Sequence, residues 1–578
     1  MNYKIIKRIA KYVKPYSFTL IFGVLTSFLY VIFTLLCPVL IGEAIDYCIE
    51  IGKVNFEMVH YYLLLLLCSI AFASVAQFLM QMTTRSISAK VSRDIRLAAF
   101  SSINNAPISK IDTQSHGDII SRLVNDTDFV GEGILQGLTQ GLPGIATIIG
   151  TLIVMLWQSP LIAVLVVLIT PLSIFFAKFI SKRTSHLFKK QSQAQGELSG
   201  LINEMIIGGE TVRAYDYEDK AFSRFESISD KLFSSGLKSV FYSSVTNPGT
   251  RFVNSIVYAA VMVIGAIFVI EGRMTIGQLS CFLTYANHYT KPFNEVTGVL
   301  TQLEAAVAGA QRIFEIIDYP KDIDDEKNIR HLSDVTGNIN INNVEFSYNS
   351  KNPIIKNINL KVKAGEKIAI VGPTGCGKTT LINLLMRFYE VDSGNIELDN
   401  IDIININRDE LRSNFGMVLQ DTWLKNATIK ENIAYGNPQA TDAEIIEAAK
   451  ESFAHSFIRR LPNRYDTIIT KGGGNLSAGQ KQLLCIARIM LRHPKILILD
   501  EATSSIDTRT ELLVQQAFLK LMEGRTSFVV AHRLSTIKSA DLIIVMRDGE
   551  IVEQGTHNEL ISYNKFYAQL YYSQFDEQ

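Results

Sequence analysis

Six long apolar runs lie within the first three hundred positions, at about 17–41, 59–80, 138–158, 161–180, 252–271 and 276–297. Each is close to the ~20 residues that a helix needs to cross a hydrocarbon core, so the pattern predicts six membrane-spanning helices. Beyond residue 338 the pattern changes to short apolar runs. Lys367-Ile368-Ala369-Ile370-Val371 and Ile496-Leu497-Ile498-Leu499-Asp500 read as buried strands, and a helix-like stretch runs from Thr380 to Arg387. The predicted fold is therefore multidomain. An all-α six-helix transmembrane domain covers 1–317, a charged linker containing Pro320 covers 318–337, and an α/β domain covers 338–578.

Basic residues orient the spans. Lys4, Lys7, Arg8, Lys11 and Lys14 precede the first run, and the segment between the first two runs carries Glu43, Asp46, Glu50 and Glu57 against Lys53 alone. Basic residues recur between the second and third runs (Arg85, Lys90, Arg93, Arg96) and between the fourth and fifth (Lys182, Arg183, Lys189, Lys190). The positive-inside rule then places both termini and the α/β domain in the cytosol of a multi-pass protein. Residues 3–14 mix basic residues with Ile5, Ile6, Ile9 and Val13, which predicts an interfacial helix on the inner leaflet. The first apolar run is too long for a cleavable signal peptide and lacks a small-residue cleavage site, so none is expected. The cytoplasmic segments 81–137 and 181–251 are too long for simple connectors and suggest spans continued below the membrane.

Chemistry enters at Gly372-Pro373-Thr374-Gly375-Cys376-Gly377-Lys378-Thr379, between a strand and a helix. This is the context a phosphate-binding loop needs. Gly372, Thr374, Gly375, Cys376 and Gly377 would present backbone N–H groups to phosphate, and the helix start at Thr379 and Thr380 favours negative charge. Lys378 would reach the β- and γ-phosphates of ATP, and the Thr379 hydroxyl would hold Mg²⁺. Asp500, at the end of an apolar strand, suits the same Mg²⁺, and Glu501 beside it can polarise an attacking water as general base.

The remaining motifs carry a resemblance. Leu476-Ser477-Ala478-Gly479-Gln480 resembles the signature of ATP-binding cassette (ABC) proteins. Tyr348 matches the aromatic residue on which adenine stacks in that family, Gln420 the loop glutamine that senses Mg²⁺ and the membrane domain, Asp507 the D-loop aspartate and His532 the switch histidine. These motifs stand in family order, and the six spans fit the family's exporter layout. The resemblance implies two cassettes facing head to tail, with Ser477, Ala478, Gly479 and Gln480 of one subunit closing over ATP held by the other. One chain with one cassette is then half a machine. Short coupling helices that dock on a cassette are implied near Pro107–Ser115 and Glu210–Asp216. Ala478 stands where the family's commonest signature has glycine. The run from Asp500 to Glu511 looks most like the subunit of bacterial heterodimeric exporters that keeps the catalytic glutamate while its partner lacks it. The resemblance therefore implies a second, different half-transporter as partner and one competent ATP site; a homodimer and an importer built on the exporter fold are the alternatives.

Composition narrows the rest. Lys+Arg and Asp+Glu both number 56, which gives no case for a nucleic-acid partner. The six cysteines have no metal-ligand spacing and suggest no disulfide framework. Cys376, beside a helix start and Lys378, is expected to be a reactive thiol. Residues 276–317 read as one long helix on which His288, Lys291 and Glu295 share a face; ionisable groups at that depth line an interior or a wet cavity. The partners implied are the lipid bilayer and a small amphipathic substrate (a drug, lipid or peptide), taken into a greasy cavity with few polar groups. Tyr285 and Tyr289 either add aromatic surface for that cargo or simply pack. The function this implies is ATP-driven export across the plasma membrane.

Overall fold

The structure is a computed structural model that describes residues 3–48, 54–322, 330–332, 334–349, 352–419, 422–470, 473–500, 507–530 and 534–575. The chain divides into two compact units. The first comprises Met1–Asn104 and Gln114–Tyr319; the second comprises Asn105–Thr113 and Pro320–Gln578.

The first unit is helical. It contains α1 (Tyr3–Val13), α2 (Ser17–Asp46) and α3 (Phe56–Asn104); α4 (Ile108–Asp112) interrupts it in sequence but belongs to the second unit. There follow α5 (His116–Ser121), α6 (Thr127–Gln136), α7 (Leu142–Gln158), α8 (Pro160–Ile207), α9 (Gly209–Ala214), α10 (Glu218–Ile270) and α11 (Ile276–Ile317). Four of the six apolar runs lie inside α2, α3, α8 and α11; the run 138–158 begins in the π-helical turn Gly137–Gly141 and continues through α7, and the run 252–271 ends one residue beyond α10. Among the described residues, the stretches Tyr3–Asp46, Phe56–Asn104 and His116–Gln158 are long and apolar enough to cross a membrane, and Asn254–Ile270 is a shorter apolar helix. The long segments 81–137 and 181–251 are in large part continuations of these helices: α3 runs on to Asn104, α8 to Ile207, and α10 begins at Glu218. On α3 the buried residues Ala76, Met80, Thr84, Ile87, Val91 and Ile95 recur three or four apart, the spacing of one helical face. That face meets Val130, Ala310, Ile313 and Phe314 in one apolar cluster, which also takes in Ile5 of α1. Arg8 secures α1 through hydrogen bonds of 2.5 and 2.6 Å to Asp318. Farther along, Met155, Val166, Val261, Phe282, Tyr285 and Tyr289 form a second cluster from α7, α8, α10 and α11. Tyr285 and Tyr289 therefore pack, and the Tyr285 hydroxyl donates to the carbonyl of Leu35.

The far end of α2 meets the start of α11 at two glycines, Gly42 and Gly277. Thr275 caps α11 in a capping box with Gln278. Asp46 accepts from the Thr275 hydroxyl at 2.6 Å and from the Gly277 backbone N–H at 2.7 Å, a carboxylate placed where a helix start favours negative charge. A Cβ on Gly277 would sit 2.0 Å from the Gly42 carbonyl oxygen, so the approach requires glycine.

The second unit carries two sheets. β1 (Ile339–Phe346), β2 (Ile355–Val362), β4 (Ser393–Leu398) and β5 (Ile401–Asp402) form an antiparallel sheet in the order β2-β1-β4-β5. β3 (Lys367–Val371), β6 (Phe415–Val418), β7 (Ile496–Asp500), β8 (Thr526–Val530), β9 (Leu542–Arg547) and β10 (Glu550–Gly555) form the other, in the order β10-β9-β3-β8-β7-β6. Its strands run parallel except β10, which is antiparallel to β9. β3, β7 and β8 are almost wholly buried, which is why they read as unbroken apolar runs. The fold class is thus a helical transmembrane domain followed by an α/β nucleotide-binding domain.

Gly277→Ala tests the α2–α11 contact. Forcing the helices apart should cost about 1–3 kcal/mol and lower the temperature of half-inactivation. Gly200→Ala in α8, with nothing within 4 Å of the new methyl, should be neutral or slightly stabilising. Equal behaviour of the two variants would contradict the packing described.

Candidate functional site

In the second unit, β3 ends at Val371 and α12 (Lys378–Leu385) begins after a six-residue turn. Gly375 and Gly377 adopt φ of +83° and +103°, a region in which a Cβ is strained. Gly372 is needed for a different reason: a Cβ there would lie 2.3 Å from the Met546 carbonyl oxygen. The turn therefore curls tightly enough to direct backbone N–H groups inward, as an anion site requires. The Lys378 ammonium folds back over it, donating to the carbonyls of Gly372 (2.7 Å) and Pro373 (2.9 Å). Thr374 and Thr379 are exposed and Thr380 is buried.

Asp500 ends β7 half-buried. Val530 of β8 pairs with Ile370 on one side and Asp500 on the other. Two strand spacings put Asp500 about 10 Å across the sheet from Ile370, at the edge from which the phosphate loop emerges. Ligands of parallel α/β sheets bind at this edge. A hydroxyl and a carboxylate are oxygen donors that suit Mg²⁺, so Thr379 and Asp500 fit that ion and the loop with Lys378 fits the phosphates of ATP. Glu501, Gln420 and His532 lie outside the described residues.

Cys376 departs from expectation. It is 4% exposed, and its sulfur sits against Gly372, 2.8 Å from where a Cβ there would be. Lys378 Nζ is 3.9 Å away, but a buried thiol is closed to reagents. Cys376 fills the underside of the loop as a small buried side chain rather than as an accessible thiol.

The signature segment is a helix start. Ser477 caps the helix Ala478–Met490: its hydroxyl accepts from Gln480 N at 3.3 Å, and Gln480 Oε1 accepts from Ser477 N at 3.0 Å. Gly479 is buried; Ala478 is exposed, in the first helical position with an ordinary φ. Its methyl therefore strains nothing, and alanine favours the helix by up to ~1 kcal/mol over glycine. Asp507 caps the helix Thr508–Met522 by accepting from Thr510 N at 3.0 Å, and that N–H holds its carboxyl below the usual range.

Tyr348 follows β1 and is 43% exposed, leaving its ring available for stacking. Its hydroxyl reaches Thr380 Oγ1 at 3.4 Å. Edge-on at 4.9 Å lies Tyr389, whose hydroxyl donates to Asp112 of α4 at 2.6 Å. Burial, and then the bond to Asp112, push the Tyr389 hydroxyl above its ordinary value, so it remains a donor across the physiological range. α4 is the segment expected near Pro107–Ser115, and two interactions tie it through Tyr389 to Tyr348. The segment expected near Glu210–Asp216 is α9, in the first unit. No motif singled out Tyr389 or Asp112, because their relation exists only after folding.

The first unit holds a separate cavity of about 870 Å³. His288, Lys291 and Glu295 line it, as the helical spacing suggests. So do Gln77, Gln81 and Arg85, four residues apart along α3, a polar stripe visible in the sequence but not singled out there. Gln136 and Gln140 face it from α6 and from the π-helical turn Gly137–Gly141. Tyr30, Met80 and Leu135 add apolar wall. The expectation of few polar groups is therefore corrected. Amides and charges that would be costly against lipid are gathered where water can reach them.

Residues 20–293 match the family described as ABC transporter transmembrane region, and residues 355–504 that described as ABC transporter. Over 572 residues the chain is 40% identical to the uncharacterized ABC transporter ATP-binding protein YfiC of Bacillus subtilis, covering 99% of this chain and 94% of that one. It is also 40% identical over 468 residues to a fatty acid ABC transporter ATP-binding/permease protein of Mycobacterium bovis, covering 81% and 74% respectively. Among solved structures, a bacterial Atm1-family ABC exporter with ATP bound aligns at 26% identity with a TM-score of 0.80, covering 96% of this chain and 98% of that one.

Tyr389→Phe removes a hydrogen bond to a charged acceptor, worth about 1.5–3 kcal/mol. Amide exchange across residues 105–113 should accelerate about tenfold or more, while ATP affinity holds. Unchanged exchange would show that the bond does not hold α4.

Proposed function

The chain belongs to the ABC transporters, in the exporter half-transporter form, and on that premise we propose that it is one half of a heterodimeric exporter in the plasma membrane, moving amphipathic molecules out of the cell. Its nucleotide-binding domain is an ATPase coupled to transport. The observation that carries the reading is the pairing, in one chain, of a wet cavity among membrane helices with a phosphate loop at a parallel-sheet edge.

The residues divide the work by chemistry. The turn Gly372–Gly377, Lys378 and Thr380 hold the phosphates, and Tyr348 stacks on adenine. Thr379, Asp500 and Gln420 hold Mg²⁺, which supplies charge neutralisation between the phosphates. Glu501 takes the proton from the attacking water, His532 orients the transferred group, and Asp507 lies at the contact with the second cassette. Ser477 to Gln480 present a capped helix start to ATP held by the partner. Both termini and the cassette are cytoplasmic, which the basic residues of the N-terminal stretch and of the long segments 81–137 and 181–251 support. α4, held by Tyr389, carries movement between the cassette and the spans.

A heterodimer is favoured by the run Asp500 to Glu511, which resembles the glutamate-bearing subunit of paired exporters. A homodimer is the second reading, and the unstrained backbone of Ala478 favours it, because nothing described handicaps this chain's own signature. An importer built on the same fold is separated by the direction of transport.

Glu501→Gln should lower ATP turnover of the assembled complex by about 10²–10⁴-fold while ATP binding is retained. Undiminished turnover would refute the general base.

A further inference from the structure

The charges of the membrane cavity do not balance. Its lining holds the basic side chains of Arg85 and Lys291 and one carboxylate, Glu295; His288 and the Tyr30 phenol are the other ionisable groups. Glu295 lies 3.8 Å from Lys291, one turn away on α11, and so is already offset. Arg85 makes no ion pair among the described residues. Four residues apart on the same face of α3 are Gln81 and then Gln77, so amide donors extend the guanidinium into a row.

We propose that this cavity selects the anionic head group of its cargo, a carboxylate or a phosphate, and that Arg85 is the anchor. The proposal rests on the exporter reading of the cavity and adds to it the chemical class of the cargo. A guanidinium presents a planar fork that matches both oxyanions with two parallel hydrogen bonds. The amides of Gln77, Gln81, Gln140 and Asn287 can donate to the same group; Gln136 differs, because its amide donates to Glu132 at 2.7 Å. Gln140 reaches the cavity from a π-helical turn, a departure from regular helix that is frequent at functional sites.

Depth agrees with charge. Arg85 lies about 7.5 Å along α3 past the predicted end of its span at residue 80. Lys291 lies about 9 Å short of the inner end of the last span at residue 297. An amphiphile entering from the inner leaflet carries its head group at the level of Arg85, with Lys291 deeper, and Tyr30, Met80 and Leu135 can take its apolar body. A cationic amphiphile would meet Arg85 and Lys291 with only Glu295 to receive it.

The test is equilibrium binding to the intact complex, purified with its native partner into nanodiscs of neutral lipid, without nucleotide and corrected for empty nanodiscs. The probes are radiolabelled dodecanoate, dodecyl phosphate, dodecyltrimethylammonium and inorganic phosphate. Both anionic amphiphiles should bind at least about tenfold tighter than the cation, with inorganic phosphate far weaker than either. The ratio of dodecanoate to dodecyl phosphate distinguishes a carboxylate cargo from a phosphate cargo. Arg85→Gln should lower affinity for the preferred anion by about tenfold, and Arg85→Lys should recover part of it, showing that charge rather than folding is lost. Equal binding of cation and anion, full anion binding by Arg85→Gln, or inorganic phosphate binding as tightly as dodecyl phosphate would overturn the proposal. ATP hydrolysis and transport direction, measured on the unsubstituted complex, decide the exporter reading separately, because head-group preference is read without either.

Discussion

A helix in hydrocarbon satisfies its own backbone but cannot satisfy the polar side chains it carries, and this constraint shapes the membrane half. The apolar faces of α3, α6 and α11 close on one another below the spans, and Met155, Val261 and Phe282 close the other end. Between these clusters the helices hold polar groups that lipid would not accept, around the cavity of about 870 Å³. The glycine contact between α2 and α11 belongs to the same logic: with no hydrophobic drive between helices in lipid, close approach and two hydrogen bonds to Asp46 hold the pair.

In the cassette the equivalent constraint is the parallel sheet. Buried on both faces, it leaves only its carboxyl edge for polar chemistry, and the phosphate loop and Asp500 both emerge there. Tyr348, Tyr389 and Asp112 form a chain of contacts from the adenine side of this edge to α4. That chain is a physical candidate for coupling, because a change in the seating of the Tyr348 ring is felt by the neighbour that holds α4.

Local chemistry was legible in the sequence. Six apolar runs fall on six long helices, and the glycines of 372–377 form the tight turn between a strand and a helix that their spacing suggests. His288, Lys291 and Glu295 do share a cavity wall, as a helical repeat requires. What failed depended on direction and on contact. Proximity to Lys378 suggested a reactive Cys376, but only folding shows the sulfur turned under the loop. Tyr285 and Tyr289, one turn apart, could have faced cargo; the structure buries both. The row Gln77, Gln81, Arg85 was readable at four-residue spacing, yet an apolar count of the span stops before Arg85. Asp112 and Tyr389 are 277 residues apart, beyond any local signal.

The central claim is that nucleotide at this chain's sheet edge drives an amphiphile through the membrane half. Its most direct test is flux in inside-out vesicles carrying the intact complex and a fluorescent amphiphile at equal concentration on both sides. The account predicts that ATP added to the bath drives net accumulation inside the vesicles, against the gradient that develops. ATP-dependent depletion of the interior, or movement that stops at equal concentrations, would contradict it.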